Sequence, residues 1–97
     1  MSPGKNVEIV NAFVLINMDG KDVKGLAERL VKVKGVTEVY PVAGEYDMIC
    51  VVRVKDNSTL TKVVTEKLLH MKGVRHTKTL FAMDVYSKFD LAKLFSV

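Results

Sequence analysis

GEYDMICVVRV, residues 44–54, joins a polar tetrapeptide containing glycine directly to a run that is apolar except for Arg53. Gly44 and Asp47 are typical of turns, because glycine adopts backbone angles closed to other residues and aspartate bonds to nearby amides. The β-branched residues that follow are typical of a strand. The stretch therefore predicts a loop over residues 44–47. Residues 48–54 are predicted as a strand without a polar face, in the centre of a sheet.

Three further strands are predicted, two before this stretch and one after it. Residues 9–18 (IVNAFVLINM) form an apolar run that ends in turn-forming residues. Residues 36–42 (VTEVYPV) contain Pro41, which has no amide to donate to a neighbour, so this strand is expected at an edge of the sheet. Residues 74–85 are the last predicted strand.

Two helices are predicted between the strands from apolar residues at three- and four-residue spacing. The first begins at Asp22 and ends near Lys34, before the left-handed stop of Gly35. The second begins after the capping residues 56–58 and ends at Gly73. The apolar stripes comprise Val23, Leu26, Ala27, Leu30 and Val31 in the first helix and Leu60, Val63, Val64, Leu68 and Met71 in the second.

The two helix ends repeat each other in sequence. ERLVKVKGV, residues 28–36, matches EKLLHMKGV, residues 66–74, at the Glu, Leu, Lys, Gly and Val positions. The repeated unit is strand, helix, strand, and two such units with right-handed crossovers interleave into one sheet. The predicted fold is therefore α+β, a ferredoxin-like βαββαβ sandwich. Its four-stranded antiparallel sheet carries both helices on one face.

Length and composition limit the class of protein. The chain has 97 residues, 48% hydrophobic and 27% charged, which predicts one globular domain over residues 1–97. Its core is expected over about residues 10–85, followed by a C-terminal tail over 86–97 of one or two helical turns. No apolar run reaches the ~20 residues of a membrane helix, so no membrane partner is expected. The single cysteine, Cys50, fits a buried thiol in a reducing cytoplasm.

The net charge of +4 raises the question of nucleic acid, because clustered Lys and Arg side chains release counterions from phosphates. The lysines are expected on solvated helix faces and at helix ends, where they suit the helix dipole, rather than in a cluster. They are interpreted as solubilising charges, and no direct nucleic-acid partner is predicted.

The sheet itself predicts association between copies of the chain. Its two central strands are apolar at nearly every position, whereas two helices cover only one face. A soluble monomer rarely exposes so large an apolar patch, so the sheet is expected to pair with that of a second copy in a homodimer. The alternative is that the tail, with Phe89, Leu91, Leu94 and Phe95, folds back as a lid over this face.

Several motifs together resemble the effector-binding domain of the Lrp/AsnC, or feast/famine, transcription regulators over about residues 10–85. These are KGV at each helix end, GEYD before the third strand and GVRHTKT at the start of the fourth. The resemblance implies dimerisation through the sheet and further assembly, such as a tetramer of dimers. It also implies that a small effector, usually an amino acid, binds at contacts between dimers. Carried over by position, the implied ligand contacts are Gly44, Tyr46, Asp47, Thr77 and Thr79.

These residue types suit a zwitterionic ligand. Asp47 can accept hydrogen bonds from an ammonium group, while the loop amides and the hydroxyls of Thr77 or Thr79 can donate to a carboxylate. Asp47→Ala is therefore expected to abolish amino-acid binding and to leave the fold intact.

Full regulators of this family carry a helix-turn-helix domain before the effector domain, whereas only about ten residues precede the first predicted strand here. The chain is therefore expected to lack a DNA-binding domain. It is expected to sense a metabolite as a stand-alone module, or to assemble with full-length Lrp/AsnC regulators.

Two alternatives stay open, namely a ferredoxin-like enzyme of the monooxygenase type and an RNA-binding module. His70, His76 and Cys50 lack the spacing of metal ligands or of a nucleophile with its base, so no catalytic residue, metal or cofactor is predicted. The central strands offer only Phe13 as an aromatic side chain on which an RNA base could stack.

Overall fold

The computed structural model describes residues 9–88. Within that range the elements follow the predicted order: β1 (Val10–Met18), α1 (Val23–Val31), β2 (Val36–Pro41), β3 (Met48–Val54), α2 (Asn57–Lys62) with a π-helical continuation (Val63–Leu68), and β4 (Val74–Phe81). The described strands form one antiparallel sheet in the order β2-β3-β1-β4. The predicted ferredoxin-like arrangement is confirmed.

β1 lies in the centre of the sheet, where it pairs with β3 on one side and β4 on the other. Its side chains alternate between the two faces, as a strand requires. Ala12, Val14 and Ile16 are fully buried beneath the helices. Phe13 and Leu15 therefore lie on the opposite face. β2 pairs only with β3 among the described strands, which is the edge position predicted from Pro41.

The hydrophobic core fills the space between the sheet and the helices. Its largest fully buried side chains come from β1, α1, β3, α2 and the π-helix, and include Ile16, Leu26, Leu30, Met48, Leu60 and Leu68. Burying one such side chain stabilises a fold by about 1.5–3 kcal/mol relative to leaving it exposed. This shared core fixes both helices on one face of the sheet.

Side chains and glycines set the helix ends. Asp22 accepts a hydrogen bond from the Gly25 amide at 3.0 Å, which caps α1. α1 ends at Val31, earlier than the predicted Lys34, because the chain tightens into i→i+3 hydrogen bonds after that residue. The chain then turns at Gly35, whose φ of 101° favours glycine.

β4 ends at Phe81, whereas the sequence pattern predicts a strand to residue 85. The Ala82 amide donates to the Asn11 carbonyl at 2.9 Å, close to the start of β1, so beyond this point β4 has no partner strand among the described residues. Met83 is accordingly 97% exposed. The proposed tail lid and most of the predicted tail helix fall on residues 89–97, outside the described residues.

One face of the sheet is not covered by any element within residues 9–88. Its apolar residues come from all four strands, and we call this surface the open face: Phe13, Leu15, Tyr40, Ile49, Val51 and Leu80. Phe13 and Leu80 oppose each other and are 40% and 43% exposed. Val51 is only 5% exposed, because its neighbours already cover it. The open face is therefore a partly exposed apolar surface in the middle of the sheet.

Candidate functional site

The GEYD loop, residues 44–47, is fixed to the end of β1. The Asp47 amide donates a hydrogen bond to the Ile16 carbonyl at 2.8 Å. The Asn17 side-chain amide donates to the Glu45 carbonyl at 3.0 Å. Backbone and side chain of β1 therefore both hold the loop in place.

The Asp47 side chain has one oxygen with a structural role. Its Oδ2 accepts a hydrogen bond from the Met18 amide at 2.7 Å, and the residue is half-buried. No further hydrogen bond to this carboxylate comes from residues 9–88. Oδ1 is therefore available to a ligand. Asp47→Ala would remove a hydrogen bond to β1 as well as a charge, so the substitution is not structurally silent.

The loop also presents backbone donors. The amides of residues 43–46 form no hydrogen bond to the described part of the chain, and residues 43–45 are exposed. Gly44 has a φ of 154°, and no atom lies within 4 Å of the place that a Cβ would occupy. A ligand can therefore approach this backbone closely. Successive free amides of this kind suit an anionic group.

The predicted β4 residues lie on the other side of β1. The Asp19 amide donates to the Gly73 carbonyl at 2.9 Å, which joins the start of β4 to the end of β1. Thr77 opposes Ile16, and both Thr77 and Thr79 are half-buried on the face that the helices cover. Their hydroxyls have no hydrogen-bond partner among the described residues.

The structure thus brings the two predicted signatures to the same end of the sheet, but not into one pocket. β1 lies between Asp47 and Thr77, and since neighbouring strands are about 4.8 Å apart, roughly 10 Å of sheet separates the two backbones. Two clefts lie elsewhere, one of about 710 Å³ beside Gly73 and one of about 870 Å³ beyond the other end of α1. Neither cleft is lined by any of the predicted ligand residues: Gly44, Tyr46, Asp47, Thr77 and Thr79.

The remaining reactive side chains do not form a catalytic centre. Burial raises the pKa of the Cys50 thiol to about 12, so this thiol stays protonated and unreactive at neutral pH. Among residues 9–88 there is no group of three or more His, Cys, Asp or Glu side chains that could hold a metal ion. No helix in the same part of the chain has the length and apolar character needed to cross a membrane.

Sequence reasoning missed two features of the surface. Asn17, a polar residue within an apolar strand, holds the GEYD loop. The expectation that the lysines do not cluster is wrong, because the fold gathers five of them around the larger cleft: Lys32, Lys34, Lys55, Lys62 and Lys67.

The sequence matches the family model for the Lrp/AsnC ligand binding domain over residues 11–91. This chain belongs to the Lrp/AsnC family. The resemblance predicted from the KGV, GEYD and GVRHTKT motifs is confirmed.

Curated Lrp/AsnC relatives are named as transcriptional regulators. An uncharacterised HTH-type regulator of Pyrococcus furiosus is 44% identical over 72 residues, which are 71% of this chain and 48% of the relative. One of Pyrococcus abyssi is 36% identical over 76 residues, 75% of this chain and 51% of the relative. This chain therefore spans about half the length of these relatives. The names give no support to the enzyme or the RNA-binding alternative.

Solved structures share the fold. A Thermus thermophilus protein, 42% identical, superimposes with a TM-score of 0.75 and covers 81% of this chain and 99% of its own. Escherichia coli AsnC has a TM-score of 0.79 at 23% identity, over 93% of this chain and 61% of its own. A Neisseria meningitidis transcriptional regulator, solved as a complex with L-methionine, has a TM-score of 0.72 at 22% identity, over 97% of this chain and 64% of its own. The last two similarities concern the fold alone.

Proposed function

We propose that this Lrp/AsnC ligand-binding domain binds an amino acid at a contact between copies of the chain. The observation that carries the proposal is the GEYD loop, which combines Oδ1 of Asp47 with the amides of residues 43–46, groups that form no hydrogen bond with any described residue. An acceptor for an ammonium group and several donors for a carboxylate thus belong to one short, anchored segment. The L-methionine complex of the Neisseria regulator supports the same class of ligand for this fold.

The ligand is proposed to contact Gly44, Tyr46 and Asp47 of one copy. The Asp47 carboxylate forms a charge-assisted hydrogen bond with the ammonium group, and the amides beside Gly44 donate to the ligand carboxylate. Tyr46 is half-buried in the same loop, where its ring can pack against the ligand side chain. Because this loop is a surface rather than a pocket in one chain, a neighbouring copy would complete the site.

Thr77 and Thr79 of the neighbouring copy are proposed to help complete the site. They lie across β1 from Asp47 and their hydroxyls have no partner among the described residues, so they can donate to a ligand held by the loop of another copy. The open face is proposed to form the first contact, a homodimer in which the two sheets pack against each other. Contacts between such dimers, for example in a tetramer of dimers, would bring the loops and β4 strands of different copies together.

A ligand at such a contact would act by linkage. It stabilises the assembly that contains the contact, in proportion to its higher affinity for the assembled state. The domain is proposed to sense its effector alone, or to transmit this change to full-length Lrp/AsnC regulators with which it assembles. The similarity to about half the length of HTH-type regulators supports the second route, because the matched halves could pair in the same way.

Calorimetric titration with a panel of L-amino acids tests this function. We expect at least one amino acid to bind the wild-type protein and none to bind Asp47→Asn, which keeps the shape of the side chain and removes its charge. Glu45→Gln is the matched control, since it removes the same charge from an exposed neighbour in the same loop. Absence of binding to the wild-type protein, or equal binding to both variants and the wild type, would contradict the proposal.

A further inference from the structure

A strongly basic cleft lies beyond the C-terminal end of α1, away from the GEYD loop. It has a volume of about 870 Å³ and lies between the end of α1, the end of β3 and the helix formed by α2 and its π-helical continuation. We call it the basic cleft, after its five exposed lysines: Lys32, Lys34, Lys55, Lys62 and Lys67. Glu66 is the one acidic side chain among the described residues that line it.

Few anionic groups among the described residues offset these lysines. Glu66 lines the cleft, and the pKa of Asp56 is lowered by hydrogen bonds from Thr59 and, to a smaller extent, by the charges of Lys55 and Lys62. None of them forms an ion pair or a side-chain hydrogen bond with residues 9–88. Arg53 also borders the cleft, but its guanidinium bonds to Asn11 at 3.1 Å and to Thr37 at 3.4 Å, so it is already engaged. Five ammonium groups thus surround one concavity, and among the described residues Glu66 and Asp56 compensate them only in part. Such a concentration of charge attracts anions from solution.

The π-helix contributes to this concentration. Lys62 and Lys67 are five residues apart, and in an α-helix, at about 100° per residue, their side chains would point about 140° apart. The π-helix Val63–Leu68 winds with i→i+5 hydrogen bonds, such as that from the Leu69 amide to the Val64 carbonyl at 2.9 Å. Residues five apart therefore come close to the same side. π-helical segments are rare in proteins, and those that do occur are often found at functional sites.

The floor of the basic cleft is apolar and tightly packed. It includes Val33, Val54 and Val63, of which Val54 and Val63 are 9% and 7% exposed. A Cβ at Gly35 would lie 2.9 Å from Val54 and 3.4 Å from Val63, so only glycine fits where α1 meets this floor. The lysines therefore stand around a rigid apolar base, on which an organic group can rest.

These features select a class of ligand. Lysine recognises phosphate as a compact point charge, and five lysines exceed what a single carboxylate requires. The volume lies within the range of about 300–1,000 Å³ that is usual for small-molecule sites. The lysines also surround a concave cleft. A nucleic-acid duplex would instead favour lysines in a row along a convex surface. We infer that the basic cleft binds a small organic polyphosphate of the nucleoside polyphosphate class, its phosphates on the lysines and its apolar part on the valine floor.

Titration with ATP, inorganic tripolyphosphate and AMP at physiological salt tests this inference. We expect ATP and tripolyphosphate to bind. AMP should bind more weakly, by about tenfold or more, because its single phosphate lacks two or more of the charge-assisted contacts with the lysines. Lys62→Gln with Lys67→Gln should weaken ATP binding roughly tenfold, and so should Lys32→Gln with Lys34→Gln on the opposite wall. Because all four lysines are exposed, both double variants should retain the wild-type circular dichroism spectrum.

The matched control is Lys21→Gln with Lys24→Gln, which removes the same charge from exposed lysines at the other end of α1. Its affinity for ATP should stay close to that of the wild type. Failure of ATP and tripolyphosphate to bind, or an equal loss in the control variant, would overturn the inference. Tighter binding of a short duplex DNA than of ATP, with the same lysine dependence, would also overturn it in favour of a nucleic-acid surface. Amino-acid binding should be unchanged in both cleft variants, which separates this test from that of the GEYD loop.

Discussion

Replacing Phe13 by alanine tests whether the open face is a subunit interface. Phe13 lies in the central strand β1, is 40% exposed and opposes Leu80, which is 43% exposed. An aromatic side chain presents about 200 Å² when fully accessible, so a partner subunit would cover roughly 80 Å² of each Phe13. At about 25 cal/mol per Å² this contributes ~2 kcal/mol per copy. A symmetric dimer contains the residue twice, which gives about 4 kcal/mol in total.

Since 1.4 kcal/mol corresponds to a factor of ten, Phe13→Ala should raise the Kd of the dimer by roughly two to three orders of magnitude. Sedimentation velocity over a range of protein concentrations measures this change. Leu80→Ala should also weaken the dimer, whereas Leu69→Ala should not, because Leu69 has a similar exposure of 46% but lies after the π-helix, in the helix layer. A wild-type protein that sediments as a single chain at every concentration would refute the reasoning, as would a Phe13→Ala variant indistinguishable from it.

Three further outcomes follow from individual side chains. Asp47→Asn keeps an acceptor for the Met18 amide and should lower the free energy of unfolding by less than about 1 kcal/mol. Asp47→Ala leaves that amide unpaired and should lower the free energy of unfolding by about 1–2 kcal/mol. Identical urea midpoints for the two variants would argue against a structural role of this carboxylate. Burial raises the pKa of the Cys50 thiol to about 12, so this thiol should resist a disulfide reagent in the native protein and react fully in urea. Rapid reaction of the native protein would instead show that β3 is accessible to the reagent. Hydrogen bonds from the Thr59 side chain and amide lower the pKa of Asp56, so its stabilising effect is present above the ordinary carboxyl pKa and is lost as the pH falls through the folded-state value. Asp56→Ala should therefore lower the urea midpoint at neutral pH and have little effect in strong acid, and an equal deficit at both would count against this cap.

The fold was predictable because its signals are local. Gly35 and Gly73 both have positive φ and lie in the turns that follow the two helical segments, although those segments end earlier, at Val31 and Leu68. The capping aspartates form the hydrogen bonds that their positions suggest. The end of β4 was not predictable, because it depends on where β1 begins, some 70 residues earlier in the chain. The π-helix was also missed, since its apolar residues satisfy the spacing of an ordinary helix.

The candidate site was predictable only in part. The GEYD and GVRHTKT motifs identify two segments, and the antiparallel pairing of β1 with its neighbours places both at one end of the sheet. Which Asp47 oxygen is free depends on the Met18 amide, which is distant in sequence. The basic cleft has no signature at all in the sequence. Its lysines come from three separate segments, and only the packing of α1, β3 and the second helix brings them together.

Native mass spectrometry of the wild-type chain, with and without the L-amino-acid panel, tests the paired sheet and its ligand site together. A homodimer that packs through the open face and binds an amino acid at contacts between copies predicts masses at even multiples of 10.8 kDa. The ligand should be found on the assembled species and should increase their share. A chain that stays at 10.8 kDa under all these conditions, or that binds the amino acid equally well as a single subunit, would contradict this arrangement.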